Sequence, residues 1–103
     1  MPKVTVSVPH TLTLEEAIER ARPALEKTVS DFEGRDLAIT WNGPAAEFTF
    51  KSLAFTIKGR VAIDAEQVTV EIDLPFAAMM FKDKAQRAIA KNLTRSLGSP
   101  STP

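Results

Sequence analysis

From Lys3 to Val8 polar and apolar residues alternate, with Val4, Val6 and Val8 on one side and Lys3, Thr5 and Ser7 on the other. Strict period-two alternation predicts a strand with one buried face. Pro9 ends it. Thr13-Leu14-Glu15-Glu16 then has the form of a capping box, in which the Thr13 hydroxyl accepts an amide near Glu16 and the Glu16 carboxylate reaches back. The period changes to 3.6: Leu14, Ala17, Ile18, Ala21, Leu25, Thr28, Val29 and Phe32 fall on one stripe, with Glu and Arg residues around it. This predicts a single helix over 13–32, stopped by Gly34. Pro23 lies in the middle of its polar face. There it removes a hydrogen bond, at about 3 kcal/mol in a helix interior, and a bend convex to solvent lets the helix curve over a sheet.

Alternation returns in Asp36–Trp41, where Leu37, Ile39 and Trp41 share a face, and Asn42-Gly43-Pro44-Ala45 reads as a turn. The run from Glu47 to Asp64 is too long for one strand. Phe48 and Phe50 point one way, as do Ile57, Val61 and Ile63, so a turn is predicted near Leu53–Phe55. A reversal at Ala65–Glu66 sets Ile63 against Val68, Val61 against Val70, Gly59 against Ile72 and Ile57 against Leu74. The same register sets Arg60 against Glu71 and Lys58 against Asp73. One register therefore satisfies both faces, and such cross-strand pairs contribute roughly 0.2–1 kcal/mol each. Ala-Glu is not a favoured two-residue turn, which allows a longer loop.

Strands with one apolar face suit a sheet covered on one side. The predicted fold is α+β, a two-layer sandwich: an antiparallel-rich, four-to-five-stranded sheet in the order β-α-β-β-β-α with both helices on one face. Residues 1–97 form a single domain, and the Gly-Ser-Pro-Ser-Thr-Pro stretch at 98–103 reads as a disordered tail.

The stretch Asp73–Leu93 opens with the chain's longest apolar run, Leu74–Phe81, and continues as a basic, patterned segment. Pro75 suits the first turn of a helix. On an α-helical projection Ala77, Ala78, Phe81, Ala85, Ala88, Ile89 and Leu93 form an apolar arc, opposite Asp83, Lys84, Arg87, Lys91 and Arg95. Phe76 and Met80 fall in line with the charged stripe, so the first two turns are apolar all round. Either the first helix or a second subunit covers them, or they form an exposed patch flanked by Lys and Arg that lies on a hydrophobic or anionic surface. The candidate interaction surface is Phe76, Met79, Met80, Phe81, Lys84 and Arg87.

Charge sharpens the contrast within a chain of zero net charge. Met1–Phe81 holds 8 basic and 12 acidic residues, whereas from Lys82 onward five basic residues face Asp83 alone. Apolar residues at 44% and charged residues at 25% are ordinary for a soluble globular domain. Without cysteine there is no disulfide framework, thiol catalysis or thiolate metal site. The start lacks the apolar core of a secretion signal, and no run approaches the roughly 20 residues of a membrane span. A cytoplasmic protein with no transmembrane segment is expected.

Chemistry is sparse. His10 is the only histidine, without a second ligand for a metal or an identifiable serine for a triad. A loop histidine bonding a backbone group is the expectation. Glu47, Glu71 and Asp73 share the polar sheet face with Lys51, Lys58 and Arg60, which suits solvated ion pairs better than an acid/base site. No Gly-rich phosphate loop exists. Nucleic-acid binding is disfavoured, because the exposed sheet face carries both signs of charge and no aromatic. No catalytic residue, metal or cofactor is expected. Trp41, Phe48, Phe50 and the methionines either line a small-molecule pocket or make an ordinary core.

With Val4–Ala17 (VTVSVPHTLTLEEA), Trp41 closing a strand, then FTF, IKGRVAI and VTVEIDLP ahead of a helix, the chain resembles the polyhydroxyalkanoic acid system proteins. That is a small bacterial family named for genes lying near polyester storage-granule genes. The resemblance covers Pro2 to Ala90, and its most specific points are Pro9-His10, Trp41, Gly59 and Leu74-Pro75. Ala54 departs from the glycine that members often carry in that turn. The resemblance implies no established catalytic activity and raises interest in His10. It also implies a setting: a non-enzymatic accessory protein acting on a granule surface, on a granule-associated protein, or on itself as a homodimer. The alternative is an acyl or hydroxyacyl binding protein, or minor enzyme, with a closed pocket beside Trp41.

Overall fold

The elements follow in the order β1 (Lys3–Pro9), α1 (Leu14–Asp31), β2 (Arg35–Asn42), β3 (Ala45–Ser52), β4 (Phe55–Ile63), β5 (Gln67–Asp73), a 3₁₀ segment (Phe76–Phe81) and α2 (Lys82–Leu97). This computed structural model describes residues 3–98; the tail expected at 98–103 lies, beyond Gly98, outside them. All strand pairs are antiparallel, in the spatial order β1-β5-β4-β3-β2. β1 and β2 thus occupy opposite edges. α1 carries the chain from one edge to the other, and the β2–β5 meander returns until β5 pairs with β1. The architecture is the α+β sandwich that the patterning predicts, with five strands.

One apolar cluster joins the two layers. Val4, Phe48, Phe50, Ile57, Val61, Val68, Val70 and Ile72 of the sheet meet Ala21, Leu25 and Val29 of α1 and Ile89, Leu93 and Leu97 of α2. Both helices therefore lie on the same face. β2, at the edge, is less covered, and Leu37, Ile39 and Trp41 are half-buried. The capping box at Thr13 forms as predicted. Pro23 lies inside α1 on its exposed side. At the other end the helix closes with a Schellman motif: the Gly34 amide donates to Val29 O (2.8 Å) and the Glu33 amide to Ser30 O (2.9 Å). The left-handed residue is Glu33, at φ 54°, not Gly34. Gly34 is small for a different reason, since a Cβ there would lie 2.5 Å from Val29 Cγ1.

The β4–β5 register holds from Ile63–Val68 to Lys58–Asp73, and the ladder ends before Ile57 and Leu74. The unfavoured Ala65-Glu66 reversal is held by Asp64, whose carboxylate accepts the amides of Glu66 and Gln67, both at 2.8 Å. His10 clasps this hairpin from the end of β1. Its amide donates to Glu66 O (2.9 Å) and its ring Nε2 donates to Asp64 O (2.8 Å), while Nδ1 accepts from the Leu12 amide (3.1 Å). With Nδ1 as acceptor the Nε2–H tautomer is fixed. Buried and fully engaged with backbone, His10 has the structural role that a loop histidine was expected to have.

On the polar face Arg60 forks between the opposed Glu71 and the diagonal Asp73, and Lys3 stands 3.6 Å from Glu71. Hydrogen bonding from Arg60, with the nearby Lys3 charge, holds the Glu71 carboxyl below its ordinary range. The two turn amides do the same for Asp64, and Lys27 followed by Asn92 for Asp31. A carboxyl lowered in the folded state contributes stability in full above its unfolded value and loses it as pH falls toward the folded value. Thermal midpoints should therefore decline as pH drops from about 5 to 3. Scans across that window check this, and an unchanged midpoint at pH 3 would contradict it.

Candidate functional site

The site lies where the β3–β4 turn, the ends of α1 and β5, the 3₁₀ segment and the start of α2 converge. Pro75, at φ −60°, caps that segment, and the chain continues as a 3₁₀ rather than an α-helix until Lys82. Three residues per turn stack positions i and i+3 in columns. Ala78 and Phe81 form the inward column, buried and half-buried. The other columns, Phe76 with Met79 and Ala77 with Met80, face out. Phe76 is 75%, Met80 81% and Met79 39% exposed. One position of the α-helical projection is corrected, since Ala77 leaves the buried arc; Phe76 and Met80 lie outward, in line with the charged stripe as expected, and neither helix covers them. The result is an apolar ridge leading into Lys82, Lys84 and Arg87.

Behind the ridge opens a cavity of about 350 Å³. Phe50, Ile57, Ile72, Leu74, Ala78 and Phe81 line it, with Asp31, Glu33, Ser52 and Lys84 as its polar members. The Lys84 ammonium lies 5.3 Å from the Phe32 ring centroid, and among the described residues no carboxylate lies within 4 Å of it. Ser52 Oγ donates to Phe32 O (2.6 Å), tying the β3 end to the α1 terminus. Leu53 completes the mouth, 59% exposed and at φ 55° in a two-residue turn. The predicted turn position is confirmed, without glycine.

Trp41 and His10 do not belong to this site. β2 runs from the cavity end toward Asn42, so Trp41 sits near the opposite end of the sheet, under the Arg22 guanidinium at 5.1 Å. His10 binds the β4–β5 hairpin at that same far end. The pocket expected beside Trp41 is therefore corrected to the cavity at the other end; Phe50 lines it, whereas Trp41, Phe48 and the methionines do not. Sequence reasoning missed Leu53, whose signal was an apolar residue in a predicted turn.

It also missed Asn92, which reads as polar yet is buried between the helices. Its Nδ2 donates to Thr28 Oγ1 (2.9 Å) and Asp31 Oδ2 (3.0 Å), and Thr28 Oγ1 donates to Ala24 O (2.8 Å). This clasp fixes α2 against the α1 end that borders the cavity. Asn92→Ala should cost about 2–3 kcal/mol, from two lost hydrogen bonds, one to a charged acceptor. Urea unfolding with an unchanged slope and a lower midpoint checks it.

Among the described residues no three His, Asp or Glu side chains gather as metal ligands would, and no helix is long and apolar enough to cross a membrane. Fold and site together define a two-layer α+β protein that presents an apolar ridge and an apolar cavity at one end of its sheet. A family model described as "Putative polyhydroxyalkanoic acid system protein" matches residues 4–97, and the chain belongs to that family. A comparison with curated proteins finds no match. The crystal structure of TTHA0849 from Thermus thermophilus is similar at 11% identity over 98% of this chain and 100% of that one, with a TM-score of 0.40. So weak a likeness carries no argument.

Proposed function

We propose that this chain is a non-catalytic accessory protein of polyhydroxyalkanoate metabolism that binds the hydrophobic surface of a storage granule through Phe76, Met79 and Met80. The observation supporting this reading is the exposure of Phe76 and Met80 on a segment whose other side is anchored in the core. Large apolar side chains standing together in water mark interaction surfaces, and the basic start of α2 beside them suits an interface with negative charge. The family description supplies the polyester setting. Co-sedimentation of the wild-type protein and Met80→Asp with isolated granules tests the reading, alongside sedimentation velocity of the free proteins. A granule-associated protein or a second copy of the chain is the other occupant the ridge fits, and those experiments separate them. A second reading, ligand binding in the cavity, rests on the volume and lining described above.

A further inference from the structure

We infer that the cavity is a binding site for one unbranched alkyl chain carrying a carboxylate, with the chain among Phe50, Ile57, Ile72 and Leu74 and the carboxylate at Lys84. This goes beyond surface binding and uses different residues from the ridge. Size sets the length: an apolar cavity of ~150 Å³ holds benzene, so one of about 350 Å³ takes a chain on the order of ten carbons.

The mouth sets the head group. Two acids line it, but Asp31 is already held by Lys27 (2.7 Å) and Asn92. Glu33 stands on the α1 side, where the helix C-terminus disfavours an anion. Lys84 is the cation among the residues lining the cavity, and no carboxylate of the described chain lies within 4 Å of it.

The β3–β4 turn supplies the remaining wall, with Leu53 at φ 55°. Leu53 holds an aliphatic side chain at the mouth in a conformation that glycine adopts more easily.

Calorimetric titration with sodium decanoate tests the assignment on the full chain. The wild-type protein should bind one equivalent. Leu53→Gly should raise the thermal midpoint by about 4 °C through relief of strain, yet weaken decanoate roughly fivefold. Lys84→Gln should weaken decanoate about three- to fivefold and abolish the salt dependence of binding. Met80→Asp should leave the affinity within about twofold. This separates failure of the cavity from failure of the ridge. No heat with millimolar decanoate, or an affinity untouched by both Leu53→Gly and Lys84→Gln, overturns the assignment. Loss of decanoate binding in Met80→Asp also overturns it, because the acid would then be adhering to the ridge.

Discussion

Gly59→Val should lower the stability of the protein by about 3–5 kcal/mol, a large share of the 5–15 kcal/mol typical of a domain. Gly59 sits in β4 directly opposite Phe48 of β3, and the Phe48 ring lies flat over it, near-parallel to Phe50 at a centroid distance of 6.2 Å. A Cβ on Gly59 would stand 2.3 Å from Phe48 Cζ and 2.8 Å from both Cε atoms. No small shift accommodates three such contacts. The ring must leave a place where it is 5% exposed, and expelling a buried Phe costs what its truncation costs, about 3–5 kcal/mol. Urea midpoints measure the loss. Combining Gly59→Val with Phe48→Ala should cost clearly less than the two single changes added, because they compete for one volume. Strict additivity would show that the ring is not the obstacle.

Met80→Asp should leave unfolding within about 0.5 kcal/mol of wild type, since the side chain is 81% exposed, while reducing co-sedimentation with granules at least tenfold. Burying a Met side chain on an apolar surface contributes about 1.5–3 kcal/mol, and a carboxylate in its place must be desolvated as well, so a ten- to hundredfold loss follows. Equal pelleting of both proteins would remove the ridge from the proposed function. If the wild type sediments as a dimer and Met80→Asp as a monomer, the ridge serves self-association instead. Binding to coated granules but not to bare polyester would identify a coat protein as the partner.

The parts of this molecule that sequence made legible are those over-determined by two constraints at once. The β4–β5 register could be read because an apolar row and an Arg60–Glu71 charge pair both demanded it. α1 could be read because a capping box and a 3.6-residue stripe agreed. Phe76–Phe81 had only one constraint, apolarity, and an apolar run does not distinguish α from 3₁₀ geometry; the helix type moved Ala77 out of the buried arc, while Phe76 and Met80 face outward in either geometry. The cavity was illegible for another reason. Phe50, Ile57, Leu74 and Ala85 each read as core, and only their convergence leaves space between them. Likewise Asn92 carried no signal by itself, because its partners lie more than 60 residues away on the other helix.

The pairing of β1 with β5 has a consequence for synthesis. As the nascent chain emerges, Lys3–Pro9 has no strand to join until Gln67–Asp73 has been made, and the helix that lies along it comes later still. Contacts that span most of the length form slowly, because loop closure precedes any compensating burial. The alternating segment Lys3–Val8 thus stays an unpaired strand while residues 10–66 are made, and a chaperone acting on this domain would find a task there.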